Sequence, residues 1–169
     1  MIVILIEFSF LQIQIGVITM KRYTQLPLTL YRIQPRLPVA LRDYDNQIAK
    51  ARTSFDLKLD EKGFVQPLAE GTLFTTPNGM TLRPASDMML QILKSFRGKP
   101  MVYQFACGMK LPKGFVVYHE HTDHYSLQTT EPIMLQAFNS RLTELLQSLP
   151  MQTREQFINQ MDDDNDQDN

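Results

Sequence analysis

Residues 117–125 read Val-Tyr-His-Glu-His-Thr-Asp-His-Tyr, and they contain every histidine of the chain: His119, His121 and His124. Imidazole ligates transition metals, moves protons near neutral pH and makes directed hydrogen bonds. On a strand, alternate side chains share a face, so His119 and His121 would stand roughly 6.6 Å apart, close enough to hold one ion. A following turn would bring Asp123 and His124 to it, and a bound zinc would generate hydroxide near neutral pH. The plainer possibility is that His119 and His121 decorate the exposed face of an edge strand while His124 belongs to a site of its own.

His119-Glu120-His121-Thr122-Asp123-His124 spells H-x-H-x-D-H, which resembles the zinc signature of metallo-β-lactamase-type hydrolases. That resemblance implies further ligands downstream, at least one of them histidine. No histidine follows His124, and Cys107 is the only cysteine. No metal site is therefore expected, and a zinc-dependent hydrolase remains the weakest of the functional alternatives.

The elements that must position these residues come from a chain of 169 residues, which suits one domain. Its hydrophobic fraction of 43% fills a core, and its net charge of −1 does not suit a general nucleic-acid binder. The end of the chain, MDDDNDQDN, is acidic and lacks an apolar face after Met161, so it is expected to be disordered. A single cysteine forms no internal disulfide, which fits a reducing compartment. Cys107 lies in the apolar run VYQFACG and is expected to be buried. The first nineteen residues form an apolar extension interrupted by Glu7, Gln12 and Gln14, with its basic pair Lys21-Arg22 behind it. It matches neither a signal peptide nor a spanning helix, and no membrane association is expected. Met20 then reads as the start of the folded part. Three regions result: the extension at 1–19, the domain at 20–150, and a short helix with an acidic disordered tail at 151–169.

Within the domain, residues 28–33 (LTLYRI) read as a strand bounded by prolines, 44–53 as a helix and 71–76 (GTLFTT) as a strand closed by Pro77-Asn78-Gly79. Ser86 is placed to cap a helix whose stripe is Met89, Leu90, Leu93 and Phe96, ended by Gly98 and Pro100. Residues 101–107, 115–121 and 124–128 read as strands. Ile133, Leu135, Phe138, Leu142, Leu145 and Leu146 mark one face of a helix over 132–149, and a shorter helix is expected at 152–160. Strands and helices interleave irregularly, with several short turns between strands, which favours an α+β fold over a doubly wound parallel sheet.

Three segments, taken in order, resemble a known family: Leu28-Thr29-Leu30-Tyr31-Arg32, the stretch from Pro77 to Ser86, and His124-Tyr125-Ser126-Leu127. They look like the ADP-ribosyltransferase-like, NAD-dependent cytotoxins delivered by type VI secretion (Tse-type), with related fungal domains. The resemblance covers roughly residues 24–148. It implies a fold of mixed sheets with flanking helices, similar to ADP-ribosylating toxins. It implies toxicity through chemistry on NAD as substrate, with ADP-ribosyl transfer as the reaction. The partners it implies are NAD, an unknown macromolecular target and an immunity or inhibitor protein. It also implies action in the cytoplasm of a cell to which the protein is secreted or delivered. His124 and Thr81 map onto the implicated residues. Leu82 stands where the family has a second hydroxyl, unless Ser86 supplies one.

Breaking the nicotinamide–ribose bond develops oxocarbenium character, so the site must hold a pyrophosphate, orient a ribose and steady positive charge. Guanidinium groups fork onto phosphate oxygens, and Arg32 and Arg83 are the candidates. Thr81, Ser86 and Ser126 offer hydroxyls, and Ser126 shares the strand face of His124. Tyr125 or Tyr103 would stack on a ring, although Tyr125 directly follows His124 and so faces the opposite side, toward a core. No glutamate is assigned: Glu120 and Glu131 flank the strand, but the resemblance selects neither. The missing hydroxyl and unplaced glutamate leave a second expectation, a binding module that kept the fold and lost the chemistry.

Overall fold

The computed structural model describes residues 20–69 and 78–167. The extension at 1–19 and the strand expected at 71–76 lie outside the described residues. Among the described residues, three antiparallel sheets carry the fold. The largest has the order β1-β6-β7-β4, with β1 Lys21–Tyr23, β4 Met80–Leu82, β6 Phe115–His121 and β7 His124–Thr129. The second has the order β2-β5-β9: Leu30–Gln34, Met101–Phe105 and Met151–Thr153. The third pairs β3, Phe64–Val65, with β8, Ile133–Met134. Helices α1 (Tyr44–Ala49), α2 (Asp87–Ser95), α3 (Leu135–Gln147) and α4 (Arg154–Gln167) complete an α+β fold.

The apolar periodicities become two cores. Met80, Leu82, Val117, Tyr125 and Leu127 line the inner face of the large sheet, and α3 brings Phe138, Leu142, Leu145 and Leu146 onto the same core. A smaller core forms where Met89 and Leu93 of α2 and Phe157 of α4 meet Tyr31 and Val102. A backbone bridge joins the two larger sheets. Tyr31 of β2 and Arg83, just after β4, exchange backbone hydrogen bonds of 2.7 and 3.0 Å. That bridge sets the first and second segments of the resemblance side by side.

Helix ends differ from expectation for local reasons. α1 stops at Ala49 because Ala51 adopts a left-handed φ of 53°, a conformation that ends a helix. α3 begins three residues after Pro132, because the backbone of Ile133 and Met134 is first used to pair with β3. α4 extends past the expected end to Gln167, so backbone expected to be disordered is helical. Cys107 is exposed, not buried, because the strand ends at Phe105 and the chain turns outward.

Candidate functional site

Gly79 starts the construction. A Cβ there would lie 2.3 Å from the carbonyl oxygen of Leu127, so only glycine lets the chain enter β4 this close to β7. Thr81 consequently sits in a strand and not in a turn, directly across from Ser126. On its other side, the bridge between Tyr31 and Arg83 brings up β2, and Arg32 Nη1 donates to the Thr81 carbonyl at 3.2 Å.

A cavity of about 380 Å³ opens at this junction. β2 contributes Arg32 and Ile33, the β4 region contributes Thr81 and Arg83, and His124 enters from the first position of β7. Met89, Ile92 and Phe96 of the α2 region give it an apolar wall, and Arg42, Phe55 and Asp56 form the opposite rim. A second hollow of about 230 Å³ continues past Arg32, Arg42, Asp56 and Phe96 to Gln34 and Pro35. The structure thus brings Arg32, Thr81, Arg83 and His124 together from three separate segments of the chain.

The other residues singled out in the sequence lie outside this cavity. Ser86 caps α2, its Oγ accepting from Met89 N–H at 3.1 Å and donating to Asp123 Oδ2 at 2.6 Å. Tyr125 and Tyr103 are core residues, 7% and 4% exposed. Tyr125 stacks on His119 at 4.3 Å. Burial first, then the neighbouring Tyr23 and Asp123, push the Tyr125 phenol above its ordinary range. Ser126 is buried and donates to Glu120 Oε1 at 2.6 Å, while Gln128 Nε2 donates to Ser126 Oγ at 2.7 Å. Replacing Ser86 by alanine removes the cap and the Asp123 bond together. It is expected to cost about 1–2 kcal/mol in urea denaturation, and a change below a few tenths would show the cap to be dispensable.

The family model for Tse2 ADP-ribosyltransferase toxin matches residues 28–157, a span that includes every wall of the cavity. The chain belongs to the Tse2 ADP-ribosyltransferase toxin family. Neither a curated protein nor a solved structure matches it.

Charge in this Tse2-family cavity is arranged unevenly. Arg83 is spoken for, because its Nη1 pairs with Asp123 Oδ1. Arg42 grips Asp56 with two bonds of 2.8 Å, from Nε to Oδ2 and from Nη2 to Oδ1. Arg32 has no such carboxylate among the described residues: its Nε donates to Gln34 Oε1 at 3.0 Å and its Nη1 to the Thr81 carbonyl. Burial pushes its pKa down to about 10, against the favourable charge of Asp56 and with the unfavourable charge of Arg42. A guanidinium desolvated to that degree and turned to a cavity favours an anion beside it.

The same geometry divides the histidine string between two groupings. β6 is interior to its sheet, because β1 pairs along it with Lys21 opposite His119. His119 Nε2 lies 2.8 Å from the Thr122 carbonyl, and His121 stacks on His124 with centroids 5.1 Å apart. Asp123 is taken by Arg83 and Ser86. Of the string, Glu120, His121 and His124 place ligand-type atoms within 4.8 Å of one another. Among the described residues, no helix is long and apolar enough to cross a membrane.

Sequence reasoning missed Arg42, Asp56 and Glu120. Asp56 lies in an irregular segment and acquires meaning only through Arg42, fourteen positions earlier. Glu120 flanks the strand in the sequence, but the resemblance selects no glutamate, and only the pairing of β6 with β7 sets it beside His124.

Proposed function

We propose that this protein uses NAD as substrate and transfers ADP-ribose to a macromolecule in the cell where it acts. The observation that carries this reading is the convergence of Arg32, Thr81 and His124 on one cavity, in a chain of an ADP-ribosyltransferase toxin family. Arg32, a desolvated cation without a carboxylate contact among the described residues, suits a pyrophosphate oxygen. The apolar wall of Met89, Ile92 and Phe96 suits the flat face of nicotinamide or adenine. Thr81 offers a hydroxyl to ribose. Arg83 serves chiefly to hold Asp123 and thereby Ser86, with any phosphate contact secondary.

In the reaction, the bond between ribose C1′ and the nicotinamide nitrogen breaks and its electron pair leaves with nicotinamide. A nucleophile of the target forms the new bond to C1′, and its proton passes to neutral His124. The direct test incubates the purified chain and a lysate of candidate target cells with NAD labelled in the adenosine half. Label is expected on a macromolecule, with nicotinamide released in step. If NAD is neither bound nor consumed, the reading fails in favour of a binding module on the same fold.

A further inference from the structure

Glu120 takes no part in the reading above, yet its carboxylate is the most deeply buried of those that reach the site, with a side chain 0% exposed. Its position follows from the pairing of the two strands. Tyr118 stands opposite Ser126, so alternation places Glu120, two residues on, on the face of β7 that carries His124, Ser126 and Gln128. The register then shifts between His119 and His121, a β-bulge that pairs His121 with His124 and stacks their rings.

The bonds on that face form a chain. Gln128 Nε2 donates to Ser126 Oγ at 2.7 Å, and Ser126 Oγ donates to Glu120 Oε1 at 2.6 Å. The other oxygen, Oε2, lies against His124 Nδ1. Among the described residues, neither of these two atoms finds a hydrogen-bonding partner elsewhere. A buried carboxylate oxygen and a buried ring nitrogen in mutual contact are both satisfied by one proton held on the nitrogen. His121, stacked 7° from parallel on the His124 ring, restricts the ring's tilt.

We propose that Glu120 is a positioning residue: it keeps the His124 proton on Nδ1, leaving Nε2 as the unprotonated nitrogen presented to the cavity, with Ser126 and Gln128 holding the carboxylate in place. The catalytic consequence rests on the transfer reading above; the tautomer does not. A ring nitrogen that must take a proton from the attacking group is useful only when it is free of one.

Two measurements test this. Nitrogen NMR of the ¹⁵N-labelled full chain is expected to show His124 protonated at Nδ1 and not at Nε2. In the Glu120→Leu variant the proton is expected to shift to Nε2. A wild-type ring carrying its proton on Nε2, or a purified chain retaining stoichiometric zinc on this group, overturns the proposal. The second measurement is kinetic. Glu120→Leu is expected to lower kcat about tenfold or more with KM for NAD little changed. Glu120→Gln, which still offers a carbonyl oxygen to Nδ1–H, should retain more activity. In a His124→Gln background, Glu120→Leu should cost nothing further in activity; losses that multiply would show a role independent of His124. Should Glu120→Leu not fold, the wild-type spectrum still decides. If the wild type transfers no ADP-ribose, the transfer reading falls, and the spectrum alone judges Glu120.

Discussion

Replacing His124 by alanine is expected to lower ADP-ribose transfer by about 10²–10⁴-fold, the range typical of losing a group that moves a proton in the transition state. Alanine alone confounds chemistry with folding. It strips the buried Glu120 carboxylate of its neighbour at Oε2 and leaves it only the Ser126 hydroxyl. Leaving such a group unsatisfied costs about 1–3 kcal/mol, so His124→Ala should also denature at lower urea. His124→Gln separates the two effects. Its amide N–H is able to meet the carboxylate, so stability should recover in part while transfer stays low, since an amide takes no proton near neutral pH. Nicotinamide release and urea midpoints for both variants check this pair of outcomes. A glutamine variant that transfers ADP-ribose at the wild-type rate would remove His124 from the chemistry.

The order of segments in the chain pointed to the α+β fold and to seven candidate site residues, of which Arg32, Thr81, Arg83 and His124 line the cavity while Ser86, Tyr125 and Ser126 lie outside it. LTLYRI, MVYQFAC, FVVYHEH and HYSLQ announce strands by composition, and the stripes of α2 and α3 by spacing. Sequence reasoning failed where meaning depends on tertiary neighbours. Residues Lys21–Tyr23 have the composition of a polar start, and only pairing with β6 makes them a strand. Ile133 fits the helical stripe of α3, yet its backbone is spent on β3. Alternation puts Ser126 beside His124 correctly, but it does not say that Glu120 will fill the space between them. That depends on which residue of β6 stands opposite which of β7, and nothing in His119-Glu120-His121 records that register, or the bulge that carries His121 to the same face. Asp56 was invisible for another reason: an aspartate in an irregular segment looks solvated until the chain closes back on Arg42.

Removing the charge of Asp56 should have the largest effect on stability among single changes at the cavity rim. Its Oδ2 accepts from Arg42 Nε and from Arg42 backbone N–H, and its Oδ1 from Arg42 Nη2, each at 2.8 Å. Its backbone carbonyl also accepts from Gly79 N–H at 2.9 Å, at the entry to β4. The carboxylate side chain is 6% exposed while Arg42 is 46% exposed, so an unpaired Arg42 regains water and the cost falls below that of breaking a fully buried pair. For Asp56→Asn about 2–3 kcal/mol is expected at pH 7. Burial opposes ionisation most strongly, yet the bonds from Arg42 and the charges of Arg42 and Arg32 hold the Asp56 carboxyl below its ordinary 3.8. The folded value is therefore lower than the unfolded one. The stabilisation is complete above the ordinary carboxylate range and is lost as pH falls through the folded value. Urea midpoints of wild type and Asp56→Asn should accordingly differ by a constant amount from neutral pH to about 5, and converge on acidification below about 4. A gap that stays constant into acid would mean the variant acts through shape and not charge. Because Asp56 and Arg42 also form the rim beside Arg32, the same substitution should weaken NAD binding, tying the cavity's shape to the ion pair that closes it.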